Sequence, residues 1–359
     1  MTKPGWLLDA PKTAVNRTAG TPLYAYMVRM VRGENLSIAE AEDFFAHLSS
    51  RESIPEQIAG SLVALVAKGE TPEELAGMAR MMNRQSYPIK THHQKYIDIT
   101  GTGSSTAKTF NVSTAAALVT AGAGLTVAKH SSRAVTSNTG SADVISQLDV
   151  NISGDPKLAQ ACLNGAGISF MFAPKFHPTL RRVGDVKRSL GLRTTLNLLG
   201  VLSNPSNAPF QLIGVWHPSL IQPMAEALAM LRIKRAWVVY GEDGLDELTI
   251  SGKTLVAEVY GNKIRKFELE PESFGLHRAP ITNLHAPSPQ ESAKIILDVL
   301  ESRRRDSARS LIVINAAAAL LIGGKAKDAM QAARLAEQSI DSGSARIKLD
   351  RLIQTTNKK

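Results

Sequence analysis

Directly after the β-type run Tyr96–Thr100 comes Gly101-Thr102-Gly103-Ser104-Ser105, a stretch suited to holding an anion against the backbone. Glycine lets main-chain N–H groups approach a ligand closely, and serine and threonine add hydroxyl donors. The segment continues through Thr109-Phe110-Asn111-Val112-Ser113-Thr114 into the alanine-rich, helix-like stretch Ser113–Ala123. The first turn of such a helix contributes free N–H groups and the positive end of its dipole. A second loop, Lys129-His130-Ser131-Ser132-Arg133, follows the strand-like Leu125–Ala128 and runs on through Thr136-Ser137-Asn138-Thr139-Gly140-Ser141. Small donors beside a lysine and an arginine suit a diphosphate. A third loop, Gly244-Leu245-Asp246-Glu247, offers adjacent carboxylates. That is a donor set for Mg2+, a hard cation that completes its shell with substrate phosphates and water. Taken singly, each loop also reads as ordinary punctuation: a glycine turn, a Ser141 helix cap, an exposed acidic turn. All three follow strands, however, and in parallel sheets such carboxyl-end loops line one ligand crevice.

Charge and cysteine usage narrow the partners. The chain has 42 Lys and Arg against 32 Asp and Glu, a net charge of +10 over 359 residues. That balance favours an anionic small substrate, nucleic acid, or a merely solvated surface. Part of the excess sits in Arg303-Arg304-Arg305 and Lys358-Lys359. No nucleic-acid-binding motif accompanies it, so nucleic acid is the secondary reading. The single cysteine, Cys162, lies in the apolar-patterned Leu158–Leu163 and reads as a buried small hydrophobe, which fits a reducing cytoplasm. Residues 1–20 lack the apolar core of an export signal, and no run of 18 apolar residues occurs, so a membrane-spanning role is not expected.

The loops need a scaffold, and the periodicity supplies one. Residues 21–90 read as helices alone. Pro22 suits a first turn before Leu23–Arg32, Ser37 caps Ile38–Leu48 with Glu40 three residues on, Gly69 ends Ile54–Lys68, and Thr71 with Pro72 opens Glu73–Asn83. From Tyr96 strands alternate with helices: Gln211–Val215, helix Ile221–Leu231, strand Arg235–Val239, with further strand signals at Leu248–Ile250 and Leu255–Tyr260. Helix Pro289–Leu300, the apolar run Leu311–Leu321 and a last helix Asp328–Ser342 complete the pattern. The expectation is an α/β fold: an N-terminal extension (1–20), a helical-bundle domain (21–90), a larger α/β domain with a mostly parallel central sheet (91–352), and a basic tail (353–359).

Asp98–Thr114, Lys129–Asp143, Phe172–Pro178, Leu190–Pro205 and Gly244–Glu247 together resemble the motifs of anthranilate phosphoribosyltransferases. Gln57–Ala76 and Asn315–Leu320 do as well, and the likeness runs from Leu23 to Leu352. The resemblance implies transfer of ribose 5-phosphate from phosphoribosyl diphosphate to the amino group of anthranilate, with release of diphosphate, in tryptophan biosynthesis. It also implies Mg2+ and a homodimer paired through the helical domains. By motif match Gly101, Thr102, Gly103, Asn111, Lys129, Ser137 and Thr139 cradle the donor, with Ser104, Ser105, Thr109 and Thr114 in the same stretch. Ser113, Asp246 and Glu247 match the metal positions; Ser132, His177, Lys187 and Val201 match the acceptor side. No residue is singled out as catalytic.

Departures from the family pattern fall on both sides: an aspartate near the diphosphate is missing, and three acceptor-pocket positions, Ser132, Lys187 and Val201, have changed together. Gly-Asp-Gly is replaced by Ser104-Ser105-Thr106, and Lys-His-Gly-Asn-Arg by Lys129-His130-Ser131-Ser132-Arg133. The arginine that meets the anthranilate carboxylate falls on Lys187, beside Arg188, and a proline falls on Val201. Lysine lacks the planar fork that grips a carboxylate with two bonds. The alternative is therefore a paralogue with another acceptor, or one that binds nucleic acid without catalysis. Retention of Lys129, Asp246 and Glu247 favours the enzyme.

Overall fold

The computed structural model describes residues 21–103, 105–132 and 140–358. Helices α1 (Pro22–Val31), α2 (Ile38–Leu48), α3 (Pro55–Lys68) and α4 (Pro72–Arg84) come first. The expected signals start and stop them. Ser37 and Glu40 form a reciprocal cap on α2, Thr71 and Glu74 form one on α4, and Gly69 ends α3 at φ +85°.

The chain then alternates: β1 (Tyr96–Gly101), α5 (Val112–Gly122), β2 (Thr126–Ser131), α6 (Ser141–Gln147), α7 (Pro156–Ala166), β3 (Ile168–Phe172). Three helices, α8 (Ala173–Phe176), α9 (Arg181–Leu190) and α10 (Thr195–Leu202), lead to β4 (Phe210–Gly214). Next come α11 (Ile221–Met230), β5 (Arg235–Gly241), β6 (Thr254–Tyr260) and β7 (Lys263–Leu269). The chain closes with α12 (Pro289–Leu300), α13 (Ser307–Ile322), α14 (Ala329–Asp341) and α15 (Ser344–Thr356).

Among the described residues seven strands form one sheet in the order β3-β2-β1-β4-β5-β6-β7. The pairings from β3 to β5 are parallel and the last two antiparallel, so the expected mostly parallel sheet is present. Side chains alternate between two cores, as strand geometry requires. Leu212, Trp237 and Val239 join α5 and α13 on one face. Ile213, Val215, Ala236 and Val238 join α1 to α4, α10 and α11 on the other. The helical segment thus packs on the sheet through α10 and α11. No helix among the described residues is long and apolar enough to cross a membrane.

Three expectations need correction. Leu248–Ile250 is not a strand, because the Asn315 side chain takes both the N–H and the carbonyl of Leu248, and Thr249 N–H donates to the Thr254 hydroxyl. β3 and β7 are strands that the pattern reading passed over; β7, Lys263–Leu269, carries an exposed, charged face that weakens its apolar signal. The helix expected last, Asp328–Ser342, is followed by another, since α15 runs through Thr356 into the expected tail (353–359) and buries Ala345, Leu349 and Leu352 at helical spacing.

Candidate active site

The carboxyl ends of β1, β2 and β3 and the loop after β5 converge on one cleft of about 1110 Å³. β1 lies between β2 and β4, so the loops leaving β1 and β4 part where the strand order reverses, the usual crevice of an open α/β sheet. From the glycine loop and the start of α5, Gly101, Thr102, Gly103, Ser105, Thr109, Asn111 and Ser113 line it. Asp246 and Glu247 face it from the loop after β5; Ser132, His177, Lys187 and Val201 face it from the other side. Thr114 is fully buried in α5, and Lys129 is 1% exposed beneath the cleft floor. Ser104, Ser137 and Thr139 lie outside the described residues.

The glycine loop and the carboxylate loop are interlocked. Thr102 N–H donates to Gly214 O at 2.9 Å and the Thr102 hydroxyl accepts from Trp216 N–H at 3.1 Å. Gly103 N–H donates to Asp246 Oδ2 at 2.8 Å. This closeness needs glycine. A Cβ on Gly214 would stand 1.4 Å from the Asp246 carbonyl oxygen, and one on Gly101 would stand 2.5 Å from Asp246 Oδ2. The carboxylate loop is pinned on both flanks. Asp243 accepts from Leu245 N–H at 3.2 Å, from Ser251 Oγ at 2.6 Å, and from the Thr249 hydroxyl. Asn315 accepts from Leu248 N–H at 3.0 Å and donates to Leu248 O at 2.9 Å.

Burial governs the electrostatics. It pushes the Asp246 carboxyl above its ordinary range and Glu247 well above, the latter helped by the Asp246 charge. Two carboxylates held this dry attract a cation. Lys129 lies below them, donating to Ile99 O at 2.5 Å and to Ser113 Oγ at 3.1 Å. Burial pulls its amine down to about 8 against the opposing charges of Asp98, Glu247 and Asp246. Asp98, wholly buried, accepts from His130 N–H at 3.1 Å, and burial lifts it to about 6. Among the described residues no three His, Cys, Asp or Glu side chains gather as a metal cage. Two carboxylates beside the Ser113 hydroxyl fit Mg2+, which keeps open positions for phosphate oxygens and water.

The wall that carries the residues expected to meet the acceptor is built by the ends of β2 and β3 with α9 and α10. The rings of His130 and His177 lie 5.1 Å apart. His130 Nδ1 is 2.8 Å from Gly200 O, and the buried His177 ring lies against the backbone of Met82 and Ser203. Burial depresses the pair to about 4 and about 3, so both are neutral at physiological pH. Burial likewise pulls Lys187 down to about 8. Arg188 pairs with Asp185, both exposed at the edge of the same cleft. Ser132 is exposed at the rim, and Val201 is 4% exposed within α10.

Pattern reading missed Asp98, Asp243, the clamp role of Asn315, and Arg181 on the cleft wall. A carboxylate inside the apolar strand Tyr96–Thr100 and an amide inside the apolar α13 were the available signals, since buried polar groups must find partners.

Comparison with known proteins places these features in a family. The helical bundle domain of the glycosyl transferase family matches residues 24–86, and its a/b domain matches residues 93–346. The anthranilate phosphoribosyltransferase of Pelotomaculum thermopropionicum is 42% identical, over 91% of this chain and 95% of that one. That of Moorella thermoacetica is 43% identical, over 92% and 97%. Among solved structures, the anthranilate phosphoribosyltransferase of Thermus thermophilus superposes with a TM-score of 0.87 at 36% identity, covering 93% of this chain and 99% of that one. The Saccharomyces cerevisiae enzyme in complex with PRPP and Mg gives 0.85 at 27% identity, covering 93% and 97%.

Proposed function

The chain belongs to the anthranilate phosphoribosyltransferases of the glycosyl transferase family, and on that premise we propose that its cleft transfers ribose 5-phosphate from phosphoribosyl diphosphate to anthranilate, releasing diphosphate, as a step of tryptophan biosynthesis. One observation carries the reading: a single cleft joins the glycine-loop amides, the Asp246–Glu247 pair and an acceptor wall bearing His177 and Lys187. The backbone of Gly101–Gly103, the hydroxyls of Ser105 and Thr109, and Asn111 hold the donor. Ser113, Asp246 and Glu247 would hold Mg2+, which when bound would supply positive charge to the departing diphosphate. Lys129, below the floor, balances the same carboxylates.

The anthranilate nitrogen forms a bond to the anomeric carbon as the carbon–diphosphate bond breaks, and the nitrogen then loses a proton. The sugar passes through oxocarbenium-like charge, as in glycosidic cleavage. No side chain attacks the sugar, so alignment of nitrogen and carbon contributes much of the acceleration. Lys187 meets the acceptor carboxylate, and the buried, neutral His177 ring shapes the wall beside it.

The alternative of a non-catalytic nucleic-acid binder loses its support at the arginine run. Arg303 pairs with Asp298 and Glu301, Arg304 with Asp306, and Arg305 with Asp341. A homodimer and a cytoplasmic location complete the proposal. Val63 and Val66 lie exposed on α3, suiting a helical-domain pairing that light scattering would detect, and the free Cys162 is buried. The deciding experiment is incubation with phosphoribosyl diphosphate, Mg2+ and a panel of aromatic acceptors. Diphosphate release with anthranilate, abolished by EDTA, is expected; no release with any acceptor would overturn the reading.

A further inference from the structure

α10 forms one wall of the acceptor side, with Leu196, Asn197, Gly200 and Val201 on the cleft. Side chains from two distant parts of the chain hold it. Near its end, Gly200 O meets His130 from β2 at 2.8 Å. At its first residue, the buried Thr195 hydroxyl donates to Glu70 Oε1 at 2.5 Å, across 125 residues of sequence.

Glu70 lies in the link between α3 and α4, and that link is rigid. Glu74, fully buried, accepts from Leu36 N–H at 2.9 Å, from Thr71 N–H at 2.9 Å and from the Lys68 ammonium at 2.8 Å. The link therefore presents Glu70 from a fixed base. Burial lifts the Glu70 carboxyl above its ordinary range, so keeping an acid here opposes stability. An apolar side chain would pack at less cost but could not specify where the Thr195 hydroxyl sits.

We propose that Glu70 is a positioning residue by which the helical domain sets the acceptor wall: through Thr195 it fixes the first turn of α10, and with it Leu196 and Asn197. The inference rests on the phosphoribosyl-transfer reading of the cleft. α10 has eight residues and is roughly 12 Å long at 1.5 Å per residue. Freed at Thr195, it pivots about the His130–Gly200 contact, and Leu196 and Asn197, nearest the freed end, move most. The donor loops leave other strands and stay in place.

The test compares Glu70→Ala, Glu70→Gln and Thr195→Val with the unmodified protein. Steady-state kinetics give separate KM values for anthranilate and phosphoribosyl diphosphate, and hydrogen exchange follows the amides of residues 195–202. Glu70→Ala and Thr195→Val should raise the anthranilate KM about fivefold or more, with the donor KM within about twofold, and should speed exchange in α10. Glu70→Gln keeps an oxygen that accepts from Thr195 and should restore the anthranilate KM to within about twofold. Equal losses toward both substrates, equal defects in Glu70→Gln and Glu70→Ala, or unchanged α10 exchange would overturn the proposal. If the unmodified protein released no diphosphate with any acceptor, the transfer reading would fall, and the exchange measurement would still decide whether Glu70 fixes α10.

Discussion

If Lys187 meets the acceptor carboxylate, as proposed, acceptor binding is titratable where an arginine would not make it so. Burial lowers its amine from 10.5 to about 8. The direction for a depressed base is that the charge is present below that value and lost above it. With a pKa of about 8, roughly nine-tenths of the side chain is ammonium at pH 7 and roughly one-tenth at pH 9. The anthranilate carboxylate is ionised throughout that interval, so the protein side of the contact is what titrates. If the ammonium form alone holds the carboxylate, the anthranilate KM rises about tenfold from pH 7 to pH 9, or about 1.4 kcal/mol. Initial rates of diphosphate release at saturating phosphoribosyl diphosphate, in a constant-ionic-strength buffer series, measure it. Lys187→Arg, whose guanidinium stays charged, should flatten the profile. Lys129 titrates in the same region, but its amine contacts Ile99 and Ser113 beneath the donor side, so its loss should appear in kcat or the donor KM. A flat anthranilate KM between pH 7 and 9, or the same rise in Lys187→Arg, would refute the reasoning.

The remaining expectations concern the carboxylate loop and the acceptor rim. Asp246→Asn should lower turnover at least about tenfold, a barrier increase of about 1.4 kcal/mol, and weaken Mn2+ binding in calorimetry while the circular dichroism stays native; unchanged activity across Mg2+ concentrations would remove Asp246 from the metal site. Gly214→Ala puts a Cβ 1.4 Å from the Asp246 carbonyl oxygen, so the loop must shift. Overpacking of this kind costs about 1–3 kcal/mol, to be read as a lowered Tm together with a loss of turnover, and a variant with normal stability and rate would show that the two loops are not interlocked. Ser132→Asn combined with Lys187→Arg should raise kcat/KM for anthranilate about thirtyfold, at about 1 kcal/mol for each of two regained hydrogen bonds; no gain would mean that the pocket is already adapted to its present residues. Val201→Pro is left out of that combination, because Val201 sits inside α10, where proline removes a helical N–H.

Much of this protein is legible along the chain. Ser37 with Glu40, Thr71 with Glu74, and the glycine at position 69 mark their helix ends, since capping joins residues three or four apart. Gly101–Gly103 and Asp246–Glu247 offer phosphate and metal chemistry by residue type only when taken together, and their places after strands predict the one crevice they share. Tertiary structure decided the partners. Lys129 sits beneath the floor, Arg188 pairs with Asp185, Leu248 pairs with Asn315 67 residues away, and Thr195 is held by Glu70. The physical reason is the range of the forces involved. Periodicity and capping act within a turn or two, so they are written locally. A buried polar group takes whichever partner the packed chain brings within about 3 Å, and only the assembled fold settles which one that is.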